Sequence, residues 1–180
     1  MKPTNNSILV DMDGTLFNFV DVFNKRLYPH NISNNLTQYD ILGTQLEQSI
    51  VKAHSTIDAI FSASFYADES PHTKMITYVQ NLINQFDVWF VTAPISSYHR
   101  ECCVNEKRAQ IQRFYGWKAA QKIIYTSEKH KVLGLYLIDD HPNIVEIQAG
   151  WKPIMVSQVW NANIHCDIRI DLRNPQVDGL

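Results

Sequence analysis

The sequence lacks the features of several protein classes. It has three cysteines, Cys102, Cys103 and Cys166, and no Cys-x-x-Cys pair, which argues against a disulfide-stapled scaffold and a structural zinc site. No apolar run approaches the roughly 20 residues needed to span a bilayer. The apolar stretch near the amino terminus stops at Val10, unlike a signal peptide. We therefore expect a cytoplasmic protein with no membrane partner.

Charge of one sign is also scarce. Lysine and arginine total 16 against 18 acidic residues, so the net charge is −2. Proteins that grip long nucleic acid by its phosphates usually present a basic face, so long nucleic acid is not an expected partner, although a single nucleotide remains compatible. With 45% hydrophobic and 19% charged residues, the 180-residue chain can form one core, or one core plus a small insert.

Five short apolar runs alternate with stretches of helical periodicity. Continuous apolar runs are typical of strands buried on both faces of a parallel sheet. Strands that alternate with helices predict an α/β fold, here a Rossmann-like three-layer fold around a central parallel sheet. The predicted strands lie at 7–10, 88–91, 123–125, 135–138 and 154–156, and the predicted helices at 73–84, 105–115 and 143–149.

Two of these helices have a clear inward face by their spacing. The first places Ile76, Val79, Leu82 and Ile83 on one side, and the second places Ala109, Ile111 and Phe114 inward before a helix-stopping Gly116.

The alternation breaks between about residues 16 and 70. Leu16, Val20, Phe23 and Leu27 share one helical face, and a second face follows at Leu46, Ile50, Ala53 and Ile57. We therefore predict a small helical cap at 17–70, inserted after the first strand of a core made of 1–16 and 71–180. The cap is rich in aromatic residues, whose default role is packing.

Reactive side chains follow four of the predicted strands. Ligands bind at the carboxyl ends of strands in open α/β sheets, so these groups should converge. Each has an ordinary alternative, because Asp-Gly is common in turns, an aspartate can cap a helix and a lone lysine is usually solvated. Composition alone does not separate Lys129 from Lys122 or Lys131. The groups are Asp11 and Asp13, Thr92, Lys129, and the pair Asp139 and Asp140.

Together these residue types suit phosphoryl transfer. Of two carboxylates at one strand end, Asp11 and Asp13, one can attack as a nucleophile while the other moves protons. A second acidic pair offers the hard oxygen ligands that Mg²⁺ prefers. A threonine hydroxyl and a lysine ammonium can bind a charged phosphoryl group.

The order Asp-x-Asp-Gly-Thr, Thr, Lys, Asp-Asp resembles the haloacid dehalogenase superfamily of phosphatases, with motifs that span Asp11 to Asp140. Within it, the chain resembles the 5′(3′)-deoxyribonucleotidase family. The matching stretches are Asp11-Met-Asp-Gly-Thr-Leu-Phe-Asn-Phe19, Thr92-Ala-Pro-Ile, Asn105-Glu-Lys-Arg-Ala, and a lysine, Lys129, ten residues before Asp139.

The resemblance implies a role for each motif residue. Asp11 would be the nucleophile and a Mg²⁺ ligand, and Asp13 the general acid and then base, with its backbone carbonyl on the metal. Thr92 would bind the phosphoryl group and Lys129 would neutralise it. Asp139 would complete the metal site.

It also implies further positions around the metal and substrate. Asp140 would place a metal-bound water, and Phe19 would pack against the nucleobase. Phe65 and Tyr66 match an aromatic pair of the family, and Ala93 stands where the family has a serine beside the ligand. The expected substrate is a deoxyribonucleoside 5′(3′)-monophosphate, cleaved through an aspartyl-phosphate intermediate.

Three departures from the family leave base and sugar preference open: Ala93 replaces a serine, Ser96 a lysine and Ser127 an arginine. The same chemistry on another small phosphoester, such as a sugar phosphate, is the main alternative, and a non-catalytic binding module of the same fold is a further one. A signalling receiver domain does not fit. In a receiver the acid pair comes before the aspartate that accepts phosphate, whereas here Asp-x-Asp-Gly-Thr comes first and the acid pair comes last. A homodimer is left open.

Overall fold

The computed structural model describes residues 1–27, 61, 64–93 and 100–177. The predicted helical face at 46–57, Ser96, and the side chain of Leu27 lie outside the described residues. None of the described helices has the length and apolar character that crossing a bilayer requires. The cysteines are all free thiols.

The described residues form a six-stranded parallel sheet in the order β3-β2-β1-β4-β5-β6. This confirms the predicted α/β class and all five predicted strands. The sixth strand was missed because two residues, one of them an arginine, make no apolar run. The strands are β1 (Ile8–Val10), β2 (Val88–Thr92), β3 (Ile123–Tyr125), β4 (Tyr136–Asp139), β5 (Lys152–Val156) and β6 (Arg169–Ile170).

Within the described residues, four α-helices and three 3₁₀ turns lie between these strands. The helix predicted at 105–115 starts five residues earlier than expected, and the one predicted at 143–149 is only a 3₁₀ turn. The helices are α1 (Phe19–Leu27), α2 (Thr73–Gln85), α3 (Arg100–Tyr115) and α4 (Trp117–Ala120), and the 3₁₀ turns are Lys129–Lys131, Pro142–Val145 and Val159–Asn161.

The core lies on both faces of the sheet, because successive side chains of a strand point to opposite sides. In β1, Ile8 and Val10 pack into one hydrophobic cluster with Val79 of α2 and Ile111 of α3, while Leu9 packs into a second. All three strand residues are fully buried. Burying each such side chain contributes about 1.5–3 kcal/mol, which explains the unbroken apolar runs.

The prediction that Ala109 faces inward from α3 is wrong. Ala109 is exposed, whereas Ile111 is buried and Phe114 is partly buried against the core. At about 100° per residue, Ala109 lies roughly 200° from Ile111 and therefore on the opposite side of the helix. The buried positions are instead Cys103, Lys107, Gln110 and Ile111.

The strand order reverses between β1 and β4, which pair directly with Val10 beside Ile138. Such a reversal opens a crevice outside the carboxyl ends of the strands, where α/β proteins bind ligands. The residues that follow or end these strands, Asp11 and Asp139, meet there, and Thr92 ends the adjacent β2. This confirms that all three lie at the carboxyl ends of neighbouring strands.

Candidate active site

A tight turn after β1 shapes the first wall of the site. The Asp11 amide donates to the Ile138 carbonyl (2.9 Å), which ties the turn to β4. Gly14 has φ of 75°, a conformation that glycine adopts without strain, and Gln158 donates a side-chain hydrogen bond to its carbonyl (2.6 Å). The sharp bend allows Asp11 and Asp13 to serve different parts of the same crevice.

Three buried carboxylates meet at the reversal. One carboxylate oxygen from each of Asp11, Asp139 and Asp140 lies within 4.8 Å of the others, and none of the three residues is more than 4% exposed. Lys129 bridges two of them, with Nζ 2.6 Å from Asp11 Oδ1 and 2.7 Å from Asp139 Oδ2. Lys129 therefore contacts two of the aspartates with which it was expected to converge, Asp11 and Asp139.

The cluster holds more carboxyl groups than positive charges. Burial raises the pKa of Asp11 to about 7, with Lys129 opposing the shift and Asp139 reinforcing it. Burial and the neighbouring Asp139 likewise raise the pKa of Asp140. Burial would lower the pKa of Lys129, but its two aspartate partners raise it above its ordinary value. Three carboxyls around one ammonium suit a further cation with hard oxygen ligands.

Asp140 is held by neutral donors on both oxygens. The Thr15 hydroxyl donates to Oδ1 (3.2 Å) and the Trp160 indole to Oδ2 (3.2 Å), and Asn161 donates to the Asp140 backbone carbonyl (2.8 Å). These donors come from the β1 turn and from the loop after β5, so two segments distant in sequence hold Asp140 in place. Sequence reasoning did not identify Trp160, Asn161 or Gln158.

A second lysine in the crevice was also missed. Lys107 of α3 is completely buried, and its Nζ contacts both carboxylate oxygens of Asp13 and the Thr92 hydroxyl (3.0 Å). The centroid of the Tyr66 ring lies 4.4 Å from Lys107 Nζ. Burial would lower the pKa of Lys107, but Asp13 and Glu69 raise it. Its position on the inward stripe of α3, between Cys103 and Ile111, was the available signal.

The other lysines that composition left open lie elsewhere. Lys131 pairs with Glu128, and both side chains are largely exposed. Lys122 pairs with Asp87 (2.6 Å) beside the amino ends of the strands. Strand polarity separates Lys122 from Lys129, because Lys122 precedes β3 whereas Lys129 follows it.

The predicted substrate-contacting aromatics form a packed cluster. Phe19 is 4% exposed, and Phe65 and Tyr66 are 0% and 2% exposed. The Phe19 ring centroid lies 5.9 Å from that of Phe23 and 5.3 Å from that of Phe65. Ala93, by contrast, is exposed at the end of β2. Cluster and crevice are linked through Tyr66, which packs on both Phe65 and Lys107.

The fold is shared with solved structures of haloacid dehalogenase type. A haloacid dehalogenase-like protein from Streptococcus pneumoniae superposes with a TM-score of 0.59 at 14% identity, covering 93% of this chain and 95% of that one. A phosphatase described as predicted, from Clostridium acetobutylicum, gives a TM-score of 0.57 at 14% identity, with 94% of each chain covered. The chain therefore has the fold of haloacid dehalogenase-like proteins, with an acidic crevice at the carboxyl ends of its strands.

Sequence comparison narrows the class. A family model described as 5′ nucleotidase, deoxy (pyrimidine), cytosolic type C protein matches residues 5–175, so the chain belongs to that family and is a phosphoric monoester hydrolase. A putative 5′(3′)-deoxyribonucleotidase of Bordetella bronchiseptica is 29% identical over 175 residues, covering 93% of this chain and 91% of the relative. The human cytosolic-type 5′(3′)-deoxyribonucleotidase is 26% identical, with 87% and 82% covered.

Proposed function

We propose that this protein is a Mg²⁺-dependent phosphatase that forms an aspartyl-phosphate on Asp11 and dephosphorylates deoxyribonucleoside 5′(3′)-monophosphates. The observation that carries the proposal is the meeting of Asp11, Lys129 and Asp139 at the sheet reversal, with Lys129 Nζ within 2.7 Å of both acids. A nucleophile, a counter-charge and oxygen ligands are the minimum set for this chemistry.

The residues present fit Mg²⁺ by the chemistry of their donors. Asp11, Asp139 and the Asp13 backbone carbonyl would hold the ion, and Asp140 would place a bound water. One carboxylate oxygen of Asp140 lies within 4.8 Å of those of Asp11 and Asp139, and Asp140 is as deeply buried as Asp139. When bound, the ion would neutralise phosphate charge and offset the excess of carboxyls.

In the first step, a carboxylate oxygen of Asp11 attacks phosphorus, and the bond from phosphorus to the leaving oxygen breaks. Asp13 gives a proton to that oxygen, which departs as the alcohol. Lys129 and the Thr92 hydroxyl hold the phosphoryl oxygens as charge develops on them. The products of this step are the free nucleoside and a phosphorylated Asp11.

In the second step, Asp13 takes a proton from a water molecule, whose oxygen attacks phosphorus. The bond from phosphorus to the Asp11 carboxylate breaks, which releases inorganic phosphate and restores the nucleophile. Asp13 regains its proton, so the cycle closes without any other reactant.

The proposed substrate draws on the names of the relatives, which are deoxyribonucleotidases, and on the aromatic cluster beside the crevice. We propose that residues 17–70 form a helical cap, to which the described helix α1 (Phe19–Leu27) belongs, and that Phe19 packs against the base with Phe65 and Tyr66 beside it. A cytoplasmic location stays a prediction.

A substrate panel with two matched variants tests this assignment. Phe19→Leu should lower kcat/KM for deoxyribonucleoside monophosphates about 5–10-fold, since stacking on an aromatic face is worth about 1–3 kcal/mol per base. Phe23→Leu, in the same aromatic cluster, should cost stability without this selective loss. The panel compares deoxyribonucleotides, ribonucleotides, sugar phosphates and p-nitrophenyl phosphate. If sugar phosphates are the best substrates and both variants act alike on all of them, the nucleotide assignment fails and the phosphatase assignment survives.

A further inference from the structure

Lys107 is buried against two protein groups of the crevice. Its Nζ contacts Asp13 Oδ1, Asp13 Oδ2 at 2.5 Å, and Thr92 Oγ1 at 3.0 Å. Its side chain is 0% exposed, while that of Asp13 is 15% exposed. Lys129 differs, because it makes two such contacts and is 19% exposed.

The contacts made by Lys107 restrict the groups that would face the substrate. A cation shared by both oxygens of Asp13 fixes the plane of that carboxylate. Because the Thr92 oxygen accepts from Lys107, the hydroxyl hydrogen of Thr92 stays available for a phosphoryl oxygen. The ammonium therefore orients the Asp13 carboxylate of the β1 turn, and it leaves the hydroxyl hydrogen of Thr92, whose backbone is fixed in β2, free to donate.

The helix that carries Lys107 is anchored on the other side. Its neighbour Glu106 accepts hydrogen bonds from the backbone amides of Ser64 (2.6 Å) and Tyr66 (2.9 Å). One turn later, the Gln110 side chain donates to the Tyr66 carbonyl (2.5 Å). These bonds, with the Tyr66 ring beside Lys107, fix this part of α3 against residues 64–66.

We propose that Lys107 is a positioning residue for proton transfer, which acts through Asp13 and not on the phosphoryl group. The two lysines then divide the work, with Lys129 on the nucleophile and metal side and Lys107 on the leaving-group side. This proposal rests on the proposed phosphatase mechanism.

The division predicts a dependence on the leaving group. An alkyl alcohol needs a proton as it departs, whereas p-nitrophenolate leaves without one. The parameter kcat/KM reports the steps up to departure of the leaving group, so later hydrolysis of the aspartyl-phosphate does not mask the effect. Lys107→Met should lower kcat/KM for a deoxyribonucleoside 5′-monophosphate about 10–100-fold, and for p-nitrophenyl phosphate about threefold or less.

The experiment compares wild type with Lys107→Met, Asp13→Asn and the double variant, all with Mg²⁺. The double variant should match Asp13→Asn within about threefold on both substrates, because a residue that acts through Asp13 adds nothing once Asp13 is disabled. It also removes both members of the ion pair, so it leaves no unpaired buried charge. If Lys107→Met alone does not fold, the comparison of Asp13→Asn with the double variant decides. Lys122→Met is the control for loss of a lysine outside the crevice.

Two results would overturn the proposal. One is an equal loss of kcat/KM on both substrates with weaker inhibition by inorganic phosphate, which would make Lys107 a phosphate-binding charge. The other is a further large loss when Lys107→Met is added to Asp13→Asn. Failure of the proposed function looks different, because wild type would then hydrolyse neither phosphoester or Asp11→Asn would stay active.

Discussion

The two ends of the parallel sheet use the same kinds of residues for opposite purposes. At the amino end, Asp87 accepts hydrogen bonds from Ser7 (2.6 Å), Trp89 (2.9 Å) and Lys122 (2.6 Å). Burial would raise the pKa of Asp87, but these three donors outweigh it and hold the pKa below its ordinary value. One carboxylate with a full set of donors is a satisfied structural contact.

At the carboxyl end, aspartates, a lysine, a hydroxyl and an indole also come together, but three carboxyl groups there surround one ammonium. Asp11 shares Lys129 with Asp139, and its side chain is 6% exposed against 42% for Asp87. Its pKa rises to about 7, mainly through burial. The comparison shows that residue type alone does not distinguish the candidate active site from a structural contact. What distinguishes it is the burial of the carboxyl groups and their excess over cations.

Replacing one aspartate at each end should separate the two roles most strongly. Asp11→Asn should lower turnover by at least about 10³-fold, since loss of a nucleophile costs up to about 10⁶ in other covalent catalysts. Rapid acid quench with labelled substrate should detect a phosphorylated protein in wild type only. Asp87→Asn should keep near-normal turnover. Near-normal turnover by Asp11→Asn would remove the proposed nucleophile.

Metal removal should affect only the carboxyl end. A chelator should abolish turnover and added Mg²⁺ should restore it. Binding at 100 times Kd stabilises a protein by about 2.7 kcal/mol, so Mg²⁺ should raise Tm by about 5–10 °C for a chain of this size. Asp139→Asn should lose most of this Tm shift, and Asp87→Asn should keep it. Full turnover in the chelator would contradict the proposed metal dependence.

The smallest effect is expected at the amino end, and it concerns stability. Because the folded pKa of Asp87 is depressed, the stability that this group contributes is present above its unfolded pKa and is lost as pH falls through its folded pKa. At neutral pH, Asp87→Asn should cost about 1 kcal/mol of unfolding free energy, since the pair is partly exposed.

Urea unfolding of wild type and Asp87→Asn measures this difference directly. It should shrink as pH falls below about 4, where the unfolded carboxyl takes up its proton first, and disappear once pH lies below the folded pKa as well. A difference that stays constant from neutral pH to pH 3 would show that packing, and not the charge, stabilises this end of the sheet.

Local patterns were enough to predict much of the fold and one half of the site. Asp11 and Asp139 each stand at the end of a short apolar run, and a parallel sheet brings all such ends to one edge. The prediction of Lys129 over Lys122 needed the family resemblance, although strand polarity alone would have supported the same choice. The missed strand β6 (Arg169–Ile170) was too short to leave a pattern.

The tertiary structure decided the other half of the site. Lys107 lies 94 positions from Asp13 and 15 from Thr92, and its place on the inward stripe of α3 does not by itself show that a lysine there is buried. Burial of a charge depends on partners that distant segments supply, here an aspartate from the β1 turn and a tyrosine ring from residues 64–70. The sequence by itself determined which groups end the strands. Only the packing of α3 against the crevice decided which lysine contacts Asp13. That contact depends on which side of α3 faces the crevice and on where the β1 turn lies relative to that helix.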